Sequence, residues 1–334
     1  MNVLVTGGSG FLGLALCRAL VLQGHQVSSF QRHFSAELKH LGVRQVLGAL
    51  NDKDKLLEAL RDQQAVLHNA AKASGWGAWD DFYQTNVVGT QCLIAGCLEL
   101  GIRKLVYTST PSVVHDGHRP VAGGNEANTP YASRYTAHYP HTKMLAEREV
   151  LDANSDALAT VALRPRLIWG PGDTQLLPRL AARARSGRLR FIGDGRNIMD
   201  CTYIDNVVLA HVLALRRIEP GAACAGKAYF ISNGEPKPIG DIVNGLLGAA
   251  DAPLVKKSLP FWLAYALGVL CEGIWRIGRL NSEPPMTRFL AEQLSTAHWY
   301  DCSAARRDLG YVPEVSFTEG LRRLRASLNA KVDV

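Results

Sequence analysis

Val3-Leu4-Val5-Thr6-Gly7-Gly8-Ser9-Gly10-Phe11-Leu12-Gly13 is the stretch of sequence that decides the fold. Residues 3–6 are apolar or β-branched and predict a short strand, and the glycines that follow predict a tight turn. Apolar residues at helical spacing begin at Leu12, so a helix follows the turn at once. Backbone amides at the N-terminus of such a helix can bind a pyrophosphate. The candidate binding residues are Gly7, Gly10, Phe11, Leu12 and Gly13.

Strands and helices alternate after this unit. Strand patterns lie at residues 26–30, 45–47, 65–68 and 104–108, and helix patterns lie at residues 53–61 and 86–100. Such alternation predicts a parallel sheet covered by helices on both faces. We therefore predict an α/β protein with a Rossmann-type doubly wound parallel sheet and a smaller, interleaved C-terminal substrate lobe. The dinucleotide-binding domain is expected over residues 1–170, with a return to the sheet near 200–232, and the lobe mainly over 171–334.

The glycine spacing, Gly7-x-x-Gly10-x-x-Gly13, differs from the standard dinucleotide fingerprint, so an ordinary tight connection is the open alternative. The residues after the second strand bear on the kind of cofactor. NAD enzymes place an acidic side chain there, whereas this sequence has Gln31 and then Arg32. A guanidinium can pair with a 2′-phosphate that a carboxylate would repel. The sequence therefore predicts NADPH or NADP in preference to NAD, unless Arg32 is an ordinary surface arginine.

Small and hydroxyl-bearing residues follow two of the predicted strands, at the edge where such sheets bind ligands. Asn69, Ala70 and Ala71 come at the end of the fourth strand, and the two alanines would let a cofactor approach closely. Ser109 and Thr110 end the fifth strand. Their hydroxyls either belong to the site or bond local backbone groups.

A tyrosine and a lysine lie four residues apart in Tyr139-Pro140-His141-Thr142-Lys143, at the start of a run of helix-forming residues. On a helix the two side chains share one face. A phenol titrates near about 10, so it becomes a better acid at neutral pH when a nearby ammonium stabilises its phenolate. The pair therefore predicts a proton-transfer site, although the same spacing also occurs on solvated helix faces.

Composition restricts the partners and the compartment. The 334 residues carry a net charge of +7 without a long basic run, which favours acidic small molecules and argues against nucleic acid. The seven cysteines form no Cys-x-x-Cys pair and no metal-ligand spacing. We predict that they are core residues in a reducing cytoplasm, with no metal site. A strand pattern beginning at Asn2 leaves no room for a signal peptide.

Several motifs occur in an order and spacing that resemble the extended short-chain dehydrogenase/reductase superfamily. They are Gly7-x-x-Gly10-x-x-Gly13, Asn69-Ala70-Ala71, Tyr107-Thr108-Ser109-Thr110, Tyr139-Pro140-His141-Thr142-Lys143 and Arg164-Pro165. The Tyr-Pro-His-x-Lys form, with Arg164-Pro165-Arg166-Leu167-Ile168-Trp169-Gly170 after it, is similar to the 3β-hydroxysteroid dehydrogenase branch. The resemblance covers nearly the whole chain.

The resemblance implies a role for each matching residue. Tyr139 matches the catalytic acid/base, and Lys143 matches the residue that lowers the pKa of that tyrosine and bonds the nicotinamide ribose. Thr110 matches the hydroxyl that orients the substrate carbonyl, with Ser109 as the alternative. Pro165, which belongs to a matching motif, joins the cofactor-binding set together with the tyrosine and the lysine.

Residues 71–77, 231–236 and 298–301 resemble a narrower bacterial group within that branch. This resemblance implies an NADPH-dependent reduction of a 2-alkyl-3-oxoalkanoic acid to the 2-alkyl-3-hydroxyalkanoic acid in long-chain olefin biosynthesis, a part of lipid metabolism. A carboxylate substrate needs an arginine near the carbonyl pocket. Arg134, Arg166 and Arg196 are the candidates, and each could instead be a surface ion-pair partner.

Other functions stay open at this point. They are steroid dehydrogenation, a nucleotide-sugar epimerase or dehydratase reaction, a non-catalytic NADP-binding regulator, and a scaffold subunit of a membrane-associated assembly. The resemblance also implies a homodimer, with faces around residues 86–100 and 139–153, and allows a complex with other enzymes of the pathway.

Residues 259–280 form the most apolar segment of the sequence. The uncharged part, residues 259–271, is too short to span the ~30 Å hydrocarbon core of a bilayer. Three interpretations stay open: a buried helix of the lobe, a helix on a membrane surface with its basic end at the head groups, and a wall of an acyl-chain tunnel. The second would place a cytoplasmic protein at the inner face of the membrane.

Overall fold

The computed structural model describes residues 1–117, 119–280 and 282–330. The lobe predicted over 171–334 thus includes residues 281 and 331–334, which lie outside the described residues. The strands are β1 (Asn2–Thr6), β2 (Gln26–Gln31), β3 (Arg44–Leu47), β4 (Ala65–His68), β5 (Lys104–Thr108), β6 (Val121–Gly124), β7 (Ala159–Pro165), β8 (Ile168–Trp169), β9 (Phe191–Ile192), β10 (Ile198–Met199), β11 (Thr202–Tyr203), β12 (Lys227–Ile231), β13 (Lys237–Pro238), β14 (Ser258–Leu259) and β15 (His298–Tyr300).

The α-helices are α1 (Phe11–Leu22), α2 (Ala36–His40), α3 (Lys53–Leu60), α4 (Trp79–Phe82), α5 (Gly89–Glu99), α6 (His138–Asp152), α7 (Leu176–Arg185), α8 (Ile204–Arg217), α9 (Ile239–Ala249), α10 (Phe261–Ile277), α11 (Arg288–Ser295), α12 (Ser303–Leu309) and α13 (Phe317–Asn329). A π-helix (Tyr83–Val88) precedes α5, and a 3₁₀-helix (Pro111–Val114) follows β5.

The central sheet has seven parallel strands in the order β3-β2-β1-β4-β5-β7-β12. The chain moves outward in one direction from β1 to β3 and in the other from β4 onward, which opens a crevice at the carboxyl ends of β1 and β4. This topology confirms the predicted doubly wound α/β class. The last strand comes from residues 227–231, while the division of the chain at residue 170 stays a prediction.

Burial on both faces explains why the central strands read as continuous apolar runs. On one face Leu16 and Leu20 of α1 pack in the same cluster as Val207 of α8. On the other face Leu56 of α3 and Leu93 of α5 belong to a second cluster. The sheet is therefore held rigidly from both sides, and its carboxyl edge is a fixed platform for side chains.

The C-terminal lobe is built around a smaller sheet in the order β13-β10-β15-β6. Helices α7 and α9 pack on each other, and α10 packs on α11. The prediction that the seven cysteines are core residues is confirmed for Cys17, Cys97, Cys201 and Cys224, which are buried. It is wrong for the three that are only half-buried, namely Cys92, Cys271 and Cys302.

The apolar segment 259–280 departs from one of its predicted environments. Helix α10 buries only Ala264, Gly268 and Glu272. Trp262 is 69% exposed and Ile277 is 87% exposed. The interpretation as a buried lobe helix is therefore wrong. An apolar sequence shows that a helix is hydrophobic but does not show whether other elements cover it. No helix in the described part of the chain is long and apolar enough to cross a membrane.

Candidate active site

A cavity of about 520 Å³ lies where the ends of β4, β5 and β7 meet the start of α6 and helices α7, α9 and α11 of the lobe. Its polar residues include Thr110, Ser112, Tyr139, Lys143, Arg166 and Gln293. The lobe helices contribute mainly apolar side chains, among them Leu176, Leu180, Ile242, Leu246, Phe289 and Leu294. Helix α10 contributes no residue to the cavity wall, so the interpretation of 259–280 as an acyl-tunnel wall is wrong for this cavity.

The glycine turn has the geometry of a phosphate-binding site. Gly7 has a φ of 70°, and a Cβ there would lie 3.0 Å from the Cα of Ala70. A Cβ at Gly13 would overlap the Gly7 carbonyl oxygen. Gly10 caps α1 without a side-chain hydrogen bond, so the first amides of the helix face outward with no capping side chain. These features fit a dinucleotide pyrophosphate on the N-terminus of α1.

The other predicted cofactor residues lie on the cavity wall or at the start of α1. Leu12, Asn69, Ala71 and Pro165 line the cavity. Phe11 is the first residue of α1, directly after the Gly10 cap. The residues that fit the nicotinamide end of a dinucleotide therefore lie beside the candidate catalytic groups.

Arg32 is the residue on which the prediction of NADPH rests. It directly follows β2, and the Gly7 amide donates a hydrogen bond to Phe30 near the end of the same strand, at 2.8 Å. Its side chain is exposed and forms no ion pair within the described residues. A guanidinium is thus available beside the turn, and no acidic residue stands directly before or after it.

Tyr139 lies in the first turn of α6 with its hydroxyl beside that of Thr110. Burial raises the pKa of Tyr139, whereas the hydrogen bond with Thr110 and the positive charge of Arg166 act in the opposite direction. The phenol is therefore protonated at neutral pH and can donate its proton.

Lys143 lies buried one helical turn beyond Tyr139, and its role toward that tyrosine stays a prediction of the resemblance. Its Nζ donates a hydrogen bond to the Thr108 carbonyl oxygen at 2.6 Å and lies 4.0 Å from the centre of the Tyr107 ring. The charge of Arg166 opposes the rise in the pKa of Tyr139, while the ammonium of Lys143 is directed at the end of β5. Burial lowers the pKa of Lys143 to about 7, against the opposing effect of Glu147.

Thr110, and not Ser109, is the hydroxyl residue next to the tyrosine. The Thr110 oxygen also accepts a hydrogen bond from the Ser112 amide at 3.2 Å, which begins the 3₁₀-helix. The Ser109 hydroxyl faces Glu147 and helps to lower the pKa of that carboxyl. Ser112 was missed in the sequence; its hydroxyl lies 3.2 Å from that of Thr110, on the cavity wall.

Asn86 joins the loop after β4 to the catalytic helix. Its Oδ1 accepts from the Lys72 amide at 2.7 Å, and its Nδ2 donates to the Thr142 hydroxyl at 3.0 Å. Asn86 belongs to the π-helix, whose widened turn places its side chain between the loop after β4 and helix α6. Asn86 therefore positions the cavity wall without touching the reacting groups.

A buried ion pair lies one helical turn beyond the lysine and was not predicted. Arg164 Nε donates to Glu147 Oε2 at 3.0 Å, and the Tyr131 hydroxyl donates to Oε1 at 2.6 Å. Burial alone would raise the pKa of Glu147, but Arg164 and these hydrogen bonds hold it below its usual value. The spacing Tyr139, Lys143, Glu147 on one helix face was the available signal.

Glu147→Gln should lower the free energy of unfolding by about 3 to 5 kcal/mol at neutral pH, because it leaves Arg164 buried without a counter-ion. The folded pKa of Glu147 is depressed, so its contribution is present above the unfolded value of about 4.3 and is lost as the pH falls through the folded pKa. Denaturant titrations at neutral and acid pH should therefore show the difference from wild type shrinking in acid. Glu149→Gln, an exposed change on the same helix, is the control; equal effects of the two variants would contradict the role of the pair.

Arg166 is the predicted arginine that the structure brings into the cavity. Its Nη1 donates to Gln293 Oε1 at 3.1 Å, while its Nε has no hydrogen-bonding partner among the described residues. Arg134 and Arg196 are exposed and lie outside the cavity wall. Arg166 is thus a buried cation that hydrogen-bonds a neutral amide and is also attracted by the buried carboxyl of Asp200, and its unpaired Nε can bind a further anion next to Tyr139.

NAD(P)-dependent oxidoreductases combine such a phosphate-binding turn with an acidic hydroxyl at the carboxyl edge of a parallel sheet, and this fold and site define that class. The chain belongs to the 3-beta hydroxysteroid dehydrogenase/isomerase family, which matches residues 4–261. This membership confirms the resemblance that the motifs indicated.

Two relatives support the family assignment, and one solved structure shares the fold. The chain is 58% identical over 327 residues to the 2-alkyl-3-oxoalkanoate reductase of Stenotrophomonas maltophilia, covering 98% of this chain and 99% of that protein. It is 35% identical over 324 residues to the decarboxylating sterol-4-alpha-carboxylate 3-dehydrogenase of Mus musculus, covering 96% and 88% of the two chains. A crystal structure of UDP-glucuronic acid 4-epimerase from Bacillus cereus, in complex with NAD, shares the fold at 23% identity, with a TM-score of 0.76 and coverage of 99% of each chain.

Proposed function

We propose that this protein reduces a 2-alkyl-3-oxoalkanoic acid to the 2-alkyl-3-hydroxyalkanoic acid with NADPH. The observation that carries the proposal is the buried guanidinium of Arg166 in the same cavity as Tyr139. A 3-oxo acid has its carboxylate one carbon away from the ketone, so the two groups can reach an arginine and a tyrosine that lie close together. The apolar helices of the lobe suit the alkyl chains.

The names of two relatives support the same arrangement of groups. A 2-alkyl-3-oxoalkanoate reductase acts on a ketone with a carboxylate one carbon away. A sterol-4-alpha-carboxylate 3-dehydrogenase acts at C3 of a ring whose C4 carries a carboxylate. Both substrates therefore present an oxygen and a carboxylate in the same 1,3 relation, and one cation beside the acid can serve both.

In the proposed reaction, NADPH supplies a hydride to the carbonyl carbon when it is bound. Tyr139 donates its hydroxyl proton to the oxygen that gains negative charge, and Thr110 donates a hydrogen bond to the same oxygen. Arg166 binds the carboxylate and fixes the face of the ketone. Lys143 donates a hydrogen bond to the Thr108 carbonyl oxygen and would also bond the nicotinamide ribose.

The test of this function is a substrate panel followed through the reduced cofactor. Because 3-oxo acids lose carbon dioxide readily, the panel is run in reverse with NADP⁺ and a 2-alkyl-3-hydroxy acid. Its methyl ester, a 3β-hydroxysteroid and a UDP-sugar are the comparison substrates. We expect the free acid to have the highest kcat/KM. Preference for the steroid or the UDP-sugar would refute the proposal in favour of a related branch of the superfamily.

Selectivity for NADPH rests on Arg32. Arg32→Ala should raise the KM for NADPH about tenfold or more, because it removes one or two hydrogen bonds to a charged phosphate. The KM for NADH should stay nearly unchanged. Arg18→Ala, which removes another exposed arginine from α1, is the matched control. An unchanged ratio of the two KM values would show that another group selects the cofactor.

We further propose that the reaction belongs to long-chain olefin biosynthesis in the cytoplasm. The apolar walls of the cavity support a long-chain lipid substrate. Removing the gene should abolish long-chain olefins, while a host that still makes them would place the enzyme in another pathway. The homodimer and a complex with other pathway enzymes stay predictions.

A further inference from the structure

Helix α10 carries a continuous apolar face toward solvent. The residues of this α10 face are Trp262, Ala266, Val269, Leu270, Ile274 and Ile277, and all six are exposed. Apart from the adjacent Val269 and Leu270, they recur at intervals of three and four, so they share one side of the helix. Apolar surface of this extent on one element marks a docking site.

The opposite side of α10 is fixed to the protein, so this face cannot turn inward. Glu272 Oε1 accepts a hydrogen bond from the Arg288 amide at 2.7 Å, and its Oε2 accepts from Arg288 Nε at 2.8 Å. A Cβ at Gly268 would lie 2.7 Å from the Arg288 amide nitrogen, which shows how closely α10 packs on the start of α11. The exposure of the α10 face is therefore a feature of the folded protein.

The exposed charges within residues 256–280, which hold α10, are of one sign. Lys256 and Lys257 precede the helix, while Arg276 and Arg279 stand at its end; all four are exposed. None of them forms an ion pair with a residue that the structure describes. Glu272, the one acidic residue in 256–280, is buried and paired with Arg288. An apolar helix face with basic residues at both ends matches the boundary between acyl chains and anionic head groups.

We propose that α10 docks the protein on an anionic lipid membrane. The helix lies in the plane of the interface, with the α10 face among the acyl chains and the basic residues among the head groups. Trp262, at the start of the helix, is of the residue type that membrane interfaces favour. Docking goes beyond the proposed reaction and does not depend on the identity of the substrate.

A second copy of the chain fits the α10 face less well. In a two-fold contact the same surface patch meets itself, so the four basic residues of one copy would approach those of the other. Such like charges repel, whereas anionic head groups neutralise them.

Docking would bring the cavity near the lipid. Helix α11, on which α10 packs, contributes Phe289, Leu290 and Leu294 to the apolar part of the cavity wall. One helix thus separates the α10 face from the space assigned to alkyl chains. A substrate that partitions into the bilayer is then concentrated next to the enzyme.

Vesicle flotation of the full chain tests this proposal. Wild-type protein should float with vesicles of phosphatidylcholine and phosphatidylglycerol and much less with phosphatidylcholine alone. Leu270→Glu with Ile277→Glu should reduce the partition coefficient at least tenfold. Leu22→Glu, the same change at an exposed leucine of α1, should leave it unchanged. Lys256→Gln with Lys257→Gln should weaken binding to anionic vesicles in particular.

Turnover without vesicles verifies that each variant is folded, because none of these residues lies in the cavity wall. The proposal is overturned when wild-type protein does not bind anionic vesicles, or when the Leu270 and Ile277 double variant binds like wild type. A wild-type dimer in solution that the double variant loses, without vesicle binding, would assign the face to a second copy instead.

Discussion

Tyr139→Phe is expected to lower kcat by about 10²- to 10⁴-fold, the range associated with loss of a positioned general acid. The variant keeps the ring and removes the oxygen that stands beside Thr110. NADPH should still bind with nearly wild-type affinity, because the glycine turn and Arg32 are unchanged. Single-turnover kinetics and a fluorescence titration of NADPH measure the two quantities separately.

Tyr83→Phe is the matched control for this variant. Tyr83 lies against Trp79, with the ring centres 5.7 Å apart, and it does not line the cavity. Its loss of one hydroxyl should leave kcat within a factor of a few. Retained turnover in Tyr139→Phe would contradict the assignment of the acid and would favour a binding protein that uses NADP without catalysis.

Arg166→Gln is expected to have the second large effect, and only on substrates with a free carboxylate. Removing one partner of a buried, hydrogen-bonded charge pair costs about 2 to 5 kcal/mol, which corresponds to a fall in kcat/KM of roughly 30-fold to several thousandfold. The methyl ester should lose much less, since it has no charge to pair. The quantity to measure is therefore the ratio of kcat/KM for the acid and the ester.

The ratio separates carboxylate binding from a second effect of Arg166. Its charge also opposes the rise in the pKa of Tyr139 that burial causes, and that contribution is lost with both substrates alike. Arg134→Gln and Arg196→Gln, at exposed positions, should leave the ratio unchanged. Equal losses for acid and ester in Arg166→Gln would mean that the arginine acts on the tyrosine alone and that another group binds the carboxylate.

The central sheet could be predicted because its signals are local. Residues 65–68 and 104–108 were assigned as strands with the bounds that the structure has, since a buried parallel strand is a short apolar run between polar turns. The pairing of Tyr139 with Lys143 on one helix face follows from helical periodicity in the same way.

The environment of each side chain could not be predicted, because distant parts of the chain create it. The sequence alone could not rank Arg166 above Arg134 and Arg196. Gln293, which holds Arg166 in the cavity, lies 127 residues away in sequence. The apolar run of α10 has the composition of a buried helix, yet the next helix covers only one side of it. Sequence periodicity gives the faces of an element but not the neighbours that cover them.

The division of the cavity between polar and apolar walls has a consequence for the fidelity of the enzyme. A compound that lacks the ketone or the carboxylate would leave the buried polar side chains that bind that group without a hydrogen-bonding partner. The enzyme should therefore discriminate strongly against such compounds. An apolar wall distinguishes neighbouring chain lengths by about 1 to 3 kcal/mol per methylene, or roughly 10- to 200-fold in kcat/KM. The enzyme should thus discriminate most strongly at the head of its substrate and more weakly at its tails, so that a mixture of chain lengths made upstream leaves it enriched in the lengths that fill the apolar part of the cavity.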